Sequence, residues 1–202
     1  MEIRLLFFTL WPSKYKTSER VIRRMQLMLA LVVSTFTIVS AQSTLTPGYI
    51  ITIKGDTLMG QIKFNPKNDL LLYDAITFQT NASDKKSYRA NKIKEYSFDG
   101  NVFVSRMIDG KPVFVKRLSA GAVNLYEYKV EEFFMNNIHV RVNYYMEKLG
   151  DTEFMHIRES KFKKQLAEAL SDDQDLIKDI QEKKYDYENI VDIFEQYNKN
   201  KE

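Results

Sequence analysis

The sequence predicts a mainly β protein of the α+β class: an antiparallel curled sheet or β-sandwich of about nine strands, followed by a C-terminal tail of three short helices. Apolar and polar residues alternate through most of residues 49–158, which is the period of a strand. Gly, Pro, Asp and Asn interrupt this alternation at short intervals, as turns do. Near Ser160 the apolar period lengthens to about 3.6 residues, which indicates helices.

The first predicted element is a hairpin over residues 49–64, with Gly55 and Asp56 as a two-residue turn. Pairing Lys54 with Thr57 aligns the two strands. One face of the hairpin then collects the apolar residues Tyr49, Ile51, Ile53, Leu58, Ile62 and Phe64. We therefore expect this face to be buried.

A meander of strands is predicted next. The strands fall at residues 70–78, 93–98, 102–108, 113–118, 123–130, 138–146 and 153–158, with a solvated loop at 81–86 and Asp-Gly turns at 99–100 and 109–110. In the central strands one face holds Tyr96, Phe98, Phe103, Met107, Phe114 and Leu118, and the other holds Val102, Val104, Ile108, Val113 and Val115. Because both faces are apolar, both must be covered by a second sheet, by barrel closure or by helices.

The tail carries three apolar stripes at helical spacing. The stripes consist of Phe162, Leu166, Ala169 and Leu170, then Leu176, Ile177 and Ile180, then Tyr187, Ile190, Val191, Phe194 and Tyr197. Ser171 and Gln174 have the spacing of a capping box, which predicts that a new helix begins there. Helices this short are not stable alone, so we expect them to pack on one another or on the sheet.

Residues 1–41 have the pattern of a secretory signal peptide. Arg23 and Arg24 precede an apolar run over residues 27–39, and small residues through Ala41 form a cleavage site. The run is shorter and more polar than the about 20 apolar residues that span a membrane. The segment before Val21 fits this pattern poorly, which favours a translation start at Val21.

The predicted organisation is a signal peptide at 1–41, a linker at 42–48, an antiparallel β domain at 49–158, and a helical tail at 159–202 that packs on the β domain. Residues 1–41 hold six basic and two acidic residues, so their removal leaves 24 basic and 25 acidic residues and changes the net charge from +3 to −1. This balance predicts no nucleic-acid partner. The chain has no cysteine, which excludes disulfides and a Cys-linked lipid anchor. We expect an exported protein, periplasmic or extracellular, that is not a lipoprotein and keeps no stable membrane span after cleavage.

Several motifs resemble a family of uncharacterised exported β-rich proteins of Bacteroidota. The first is Gly-Tyr-Ile followed by Gly-Asp-Thr, here at 48–50 and 55–57. The Leu-Tyr-Glu-Tyr stretch at 125–128 and the tail over residues 162–197 are similar to the same group. The resemblance implies export and a β-rich fold over residues 48–198, and it implies no biochemical activity.

Candidate catalytic residues are few. His139 and His156 are the only histidines, and His156 with Glu159 forms a single His-x-x-Glu pair, whereas a metal site needs three or four ligands. Ser105 and Ser119 have no neighbouring base, and the glycines lie in hairpin turns rather than in a phosphate loop. We predict no catalytic, cofactor-binding or metal-binding residues, although the fold could bring distant carboxylates together as a hydrolytic pair.

One apolar group is a candidate binding feature. Phe133, Met135 and Tyr145 would suit a partner surface if they form an outward patch, but the short tail helices favour the alternative, in which the tail covers them. The leading hypothesis is an exported, non-enzymatic module that binds a protein or another envelope component through a sheet face or edge. The rivals are a periplasmic hydrolase that uses carboxylates assembled by the fold, and a curled sheet that holds a lipid or other apolar ligand.

Overall fold

The computed structural model describes residues 44–81, 83–135 and 137–201. The predicted signal peptide, its cleavage after Ala41 and a start at Val21 lie outside the described residues. Within the described ranges the chain forms one antiparallel sheet of ten strands, followed by three short α-helices. The prediction of a mainly β fold with short C-terminal helices is confirmed.

The strands are β1 (Thr44–Thr52), β2 (Thr57–Phe64), β3 (Ala75–Asn81), β4 (Asp84–Arg89), β5 (Ile93–Phe98), β6 (Asn101–Ile108), β7 (Lys111–Ser119), β8 (Val123–Phe134), β9 (Asn137–Lys148) and β10 (Met155–Ile157). Across the sheet they lie in the order β10-β9-β8-β7-β6-β5-β1-β2-β3-β4. A 3-10 helix, Asp69–Tyr73, precedes β3, and two more at Glu159–Lys161 and Tyr187–Asn189 flank the helical tail.

Two segments predicted as loops are strands. The linker predicted over residues 42–48 is wrong from Thr44 onwards, because β1 begins there. The loop predicted over residues 81–86 contains the first half of β4. This additional strand raises the number from the predicted nine to ten. The segment of β4 lacks the apolar alternation of a half-buried strand, because β4 lies at the sheet edge. Its Lys85 and Lys86 give this edge a charged surface that discourages pairing with other chains.

The sheet is strongly curled around its first five strands. In sheet order β4 is four strands away from β5, a distance of roughly 19 Å in a flat sheet. Only residues 90–92 connect the two strands, and the four Cα steps from Arg89 to Ile93 reach at most about 15 Å. The strands must therefore roll towards one another. Of the two predicted alternatives, the structure has the curled sheet and not the sandwich.

Aromatic rings fill the inside of this roll. Tyr96 and Phe103 stack with ring centroids 4.7 Å apart, and the ring of Phe114 meets Tyr96 edge-on at 4.8 Å. The hydroxyl of Tyr96 donates to the carbonyl of Leu72 at 2.6 Å, so the buried polar group is satisfied. We call this side of the sheet the concave face. Of the residues predicted to share this face, the aromatic ones form the cluster inside the roll, Met107 is exposed, and Leu118 packs against the cluster under the helical tail.

The register predicted for the first hairpin is wrong. Ile51 pairs with Thr57, and Ile50 pairs with Leu58. The connection is a three-residue loop in which Gly55 adopts a φ of 98°, rather than a two-residue turn. Relative to the prediction the pairing shifts by an odd number of residues, and an odd shift exchanges the two faces of a strand. Ile50 is consequently buried in the roll, whereas Ile53 is exposed.

The convex face of the sheet carries a second apolar cluster, as predicted from the sequence. Val104, Val115, Tyr126 and Tyr145 are buried there, and Val102, Ile108, Val113 and Phe154 pack around them. Arg106 lies over the Tyr126 ring and forms an ion pair with Glu147 at 2.6 Å. This pair and its ring contacts cover part of the convex face.

The helical tail covers the concave face beside the roll. Helices α1 (Phe162–Ala169), α2 (Gln174–Gln181) and α3 (Ile190–Lys199) bury their apolar stripes against β8, β9 and β10. The predicted capping box of Ser171 and Gln174 is wrong: the α2 N-cap is Asp173, whose side chain accepts from the Leu176 N–H at 3.1 Å. A buried amide, Asn198 in α3, binds both backbone groups of Val123.

An exposed ion pair at the tail gives a pH-dependent prediction. Asp172 accepts from Tyr197 and pairs with Lys201, and these contacts lower the pKa of Asp172 from 3.8 to about 2. As the pH falls below 3.8 the unfolded chain takes up this proton before the folded one, so the stabilising contribution of Asp172 is lost as the pH approaches 2. We expect Asp172→Asn to show a weaker loss of stability over that interval than the unmodified protein, as measured by urea unfolding. Because the pair is solvent-exposed, the difference should shrink in high salt. Equal pH dependence of the two proteins would contradict the prediction.

Candidate partner-binding arm

The outer half of the β8–β9 hairpin extends beyond both neighbouring strands. Pairing of β8 with β7 ends at Glu127, and pairing of β9 with β10 ends at Tyr144. The ladder between β8 and β9 nevertheless continues to Phe134 and Asn137. We call residues 130–135 and 137–141 the arm. In the arm each strand pairs only with the other, which leaves both outer backbone edges without a strand partner among the described residues.

Large apolar side chains on the arm are exposed to solvent. Phe133 is 74% exposed, Met135 79% and Ile138 67%, and Phe134 and Val140 are also exposed. Phe133 lies directly opposite Ile138 in the ladder, and Val140 follows two residues along the same face. This apolar stripe continues the concave face that the helices cover at the base of the hairpin. The concave face of the hairpin therefore extends beyond the helices that cover its base.

The opposite face of the arm is mostly polar, although it also carries the exposed ring of Phe134. Arg141 pairs with Glu132 at 2.9 Å, and His139 is exposed directly opposite Glu132. The polar side chains make the arm amphipathic, because one side resembles a core strand and the other resembles a protein surface. Such a ribbon suits contact with a partner on one side while the other remains hydrated.

Polar contacts brace the base of the arm against the roll. The Tyr73 hydroxyl donates to Glu127 at 2.5 Å, and Lys129 donates to Asp69 at 2.9 Å. Burial, and then the bond to Glu127, raises the pKa of Tyr73 far above its ordinary value. Partial burial alone would lower the pKa of Lys129, but Asp69 and Glu127 raise it overall. The arm is thus attached to a base that these polar contacts brace.

Of the three residues predicted to form a partner surface, Tyr145 is wrongly placed. Phe133 and Met135 lie on the arm, but Tyr145 is only 8% exposed and lies on the convex face. Phe154 and His156 stack on its ring at centroid distances of 4.9 and 4.8 Å. Phe134, Ile138 and Val140 take its place in the exposed group. The available signal was the alternation of residues 138–142, which puts Ile138 and Val140 on the face of Phe133.

His156 is held in a partly buried position beside positive charge. Burial, and then the nearby charges of Arg158 and Arg141, lower the pKa of His156. Its predicted partner in a His-x-x-Glu pair, Glu159, begins the 3-10 helix that follows β10. In the described parts of the chain, no group of three or more His, Asp or Glu side chains is arranged to hold a metal ion.

Four clefts in the described residues have volumes of about 170 to 460 Å³, and each has charged side chains in its lining. One of about 200 Å³ opens at the end of the roll, where Asp69 and Glu127 face Lys129. Another of about 170 Å³ lies beside α1 and includes Asp151, Glu153 and Glu168. Bonds from Thr80 and Lys86 lower the pKa of Asp84, and bonds from Lys201 and Tyr197 lower that of Asp172. A general acid in a glycosidase-type pair needs the opposite shift.

No family model, curated protein or solved structure gave a significant match to this chain. In the described part of the chain no helix is long and apolar enough to cross a membrane.

Proposed function

We propose that this protein is an exported, non-enzymatic module that binds another protein of the cell envelope through its arm. The observation that carries the proposal is the exposed stripe of Phe133, Ile138 and Val140 on a ribbon attached to a braced base. Its composition, with two aromatic residues and a methionine at the tip, is that of interface cores. Export to the periplasm or beyond, without a lipid anchor, and membership of the exported β-rich group of Bacteroidota are part of this proposal.

The open edges favour a protein partner over the interior of a lipid bilayer. An unpaired N–H or C=O costs several kcal/mol in hydrocarbon, so ribbons with open edges are not stable there. A protein partner can satisfy the same groups. The rival apolar-ligand function has less support, because the rings of Tyr96, Phe103 and Phe114 occupy the interior of the described roll.

Site-specific photo-cross-linking tests the proposal in cells that export the protein. A photoreactive amino acid at Phe133 should give a discrete adduct with one envelope protein. The matched control position is Met59, which is 70% exposed on β2 and lies away from the arm. The same adduct from both positions, or none from Phe133, would contradict the proposal.

Substitutions in the apolar stripe test the same surface. Replacing Phe133 and Ile138 together with serine removes two of the three side chains of the apolar stripe without changing the ladder, because both face solvent. We expect the yield of an adduct captured from Met135 to fall about tenfold, as loss of interface hot spots does. The control Met59→Ser should leave that yield unchanged, and thermal unfolding should confirm that both variants are folded. An unchanged adduct yield in the double variant would rule out the stripe as the binding surface.

A further inference from the structure

The outer edge of β9 has backbone groups positioned to pair with an incoming strand. Two residues separate Phe134 from Asn137, and in hairpins of this length the flanking residues form a hydrogen-bonded pair. Hydrogen-bonded and non-hydrogen-bonded pairs alternate along an antiparallel ladder. Ile138, Val140 and Val142 therefore direct their N–H and C=O groups away from β8. Tyr144, two residues after Val142, also directs its backbone groups outward, and there it pairs with Ile157 of β10.

The fold covers the neighbouring edge but not this one. The outward backbone of β10 is capped by Gln165, whose side chain accepts from the Arg158 N–H at 2.9 Å and donates to the His156 carbonyl at 2.8 Å. At the far end of the sheet, Lys85 and Lys86 protect β4. Among the described residues, the β9 edge beyond Tyr144 has neither an amide cap nor a lysine. An edge left open beside one that is capped is suited to strand addition.

The side chains along this edge define what would bind. A strand placed beside β9, in line with β10, would meet Ile138, Val140 and Val142 on the concave side. On the convex side it would meet Arg141, with Arg158 beyond the end of β10. The guanidinium of Arg141 uses part of its five donors on Glu132 and has capacity for a second carboxylate.

We infer that the arm binds a partner protein by β-strand addition to the β9 edge, and that the added segment alternates apolar residues with acidic ones. This inference rests on the proposed function, since the same arm is the docking element. Apolar residues of the segment pack on the stripe side, and its carboxylates lie on the side of Arg141 and Arg158. Main-chain hydrogen bonds supply affinity, and alternate side chains supply specificity.

The test uses the purified exported protein and a short capped peptide that alternates valine with glutamate, with binding measured by titration calorimetry. We expect this peptide to bind about tenfold more tightly than the same peptide with lysine in place of glutamate. Val140→Pro removes an outward N–H and spares the β8 ladder, whereas Val140→Ala trims a side chain and keeps the N–H. Val140→Pro should weaken binding about tenfold more than Val140→Ala does. Arg158→Glu, which leaves the arm untouched, should reduce the preference for the acidic peptide.

Several outcomes would overturn the inference. These are no binding of the acidic peptide, equal affinity for both peptides, or equal losses from the proline and alanine variants. Self-association in sedimentation that Val140→Pro abolishes would assign the edge to a second copy instead. If Val140→Pro still gives the Phe133 adduct, strand addition is rejected and the proposed function stands. If neither the unmodified protein nor any variant gives that adduct, both are rejected.

Discussion

Gly60→Ala should destabilise the protein by about 3 kcal/mol or more, the upper range for overpacking a core. Gly60 lies opposite Gly48 in the β1–β2 ladder, on the inside of the roll. A Cβ at Gly60 would lie 2.5 Å from the backbone carbonyl oxygen of Gln79 and 2.5 Å from a ring carbon of Phe78. Relief would require moving β3, because one of the two atoms is backbone. Urea unfolding measures the loss.

Gly100→Ala is the matched control for this substitution. Gly100 has a φ of 72° in the turn between β5 and β6, and no atom lies within 4 Å of where its Cβ would be. Its replacement costs only the left-handed backbone penalty of about 1 kcal/mol. If Gly100→Ala destabilises as much as Gly60→Ala, steric crowding inside the roll is not the cause.

Asn198→Ala should cost about 2–4 kcal/mol, because it removes the acceptor of a buried N–H and leaves a cavity. Asn198 is 6% exposed, and its side-chain oxygen accepts from the Val123 N–H at 3.1 Å. Its amide nitrogen donates to the Val123 carbonyl and to the Ser119 hydroxyl, both at 2.9 Å. These bonds fasten α3 to the connection between β7 and β8. Hydrogen exchange should therefore show faster opening of α3 as well as lower global stability.

Asn200→Ala provides the comparison in the same helix end. Asn200 bonds to Asp173 at the surface, where water replaces the lost partner. Its loss should stay within about 0.5 kcal/mol. Similar unfolding free energies for the two alanine variants would mean that the buried amide does not fasten the tail to the sheet.

The sequence predicts strand register correctly where a two-residue turn sets it. Asp99 and Asp109 have φ values of 49° and 50°, and each precedes a glycine with positive φ. Two-residue turns of this kind fix which residues pair, so alternation correctly placed Tyr96 and Phe103 on one face. The first hairpin failed because Gly55 closes a three-residue loop there, and the odd shift exchanged its faces.

The exposed surface of the arm follows only in part from the sequence. Alternation along β8 and β9 places Phe133 and Ile138 on one face, and that pattern is visible in the printed sequence. Exposure depends on what lies above each face. Tyr145 is buried because Phe154, from a later segment, packs against it, and no local pattern in β9 reports that contact.

By itself the sequence determined the mainly β class, the helical tail and the aromatic face of the central strands, since these follow from local periodicity and turn chemistry. Only the tertiary structure decided how far each ladder runs. β7 and β10 leave the β8–β9 hairpin at Glu127 and Tyr144, and the helices cover only its base. Burial of a strand face depends on contacts with segments that are distant in sequence. The same alternation therefore encodes a buried strand at Leu125 and an exposed one at Phe133.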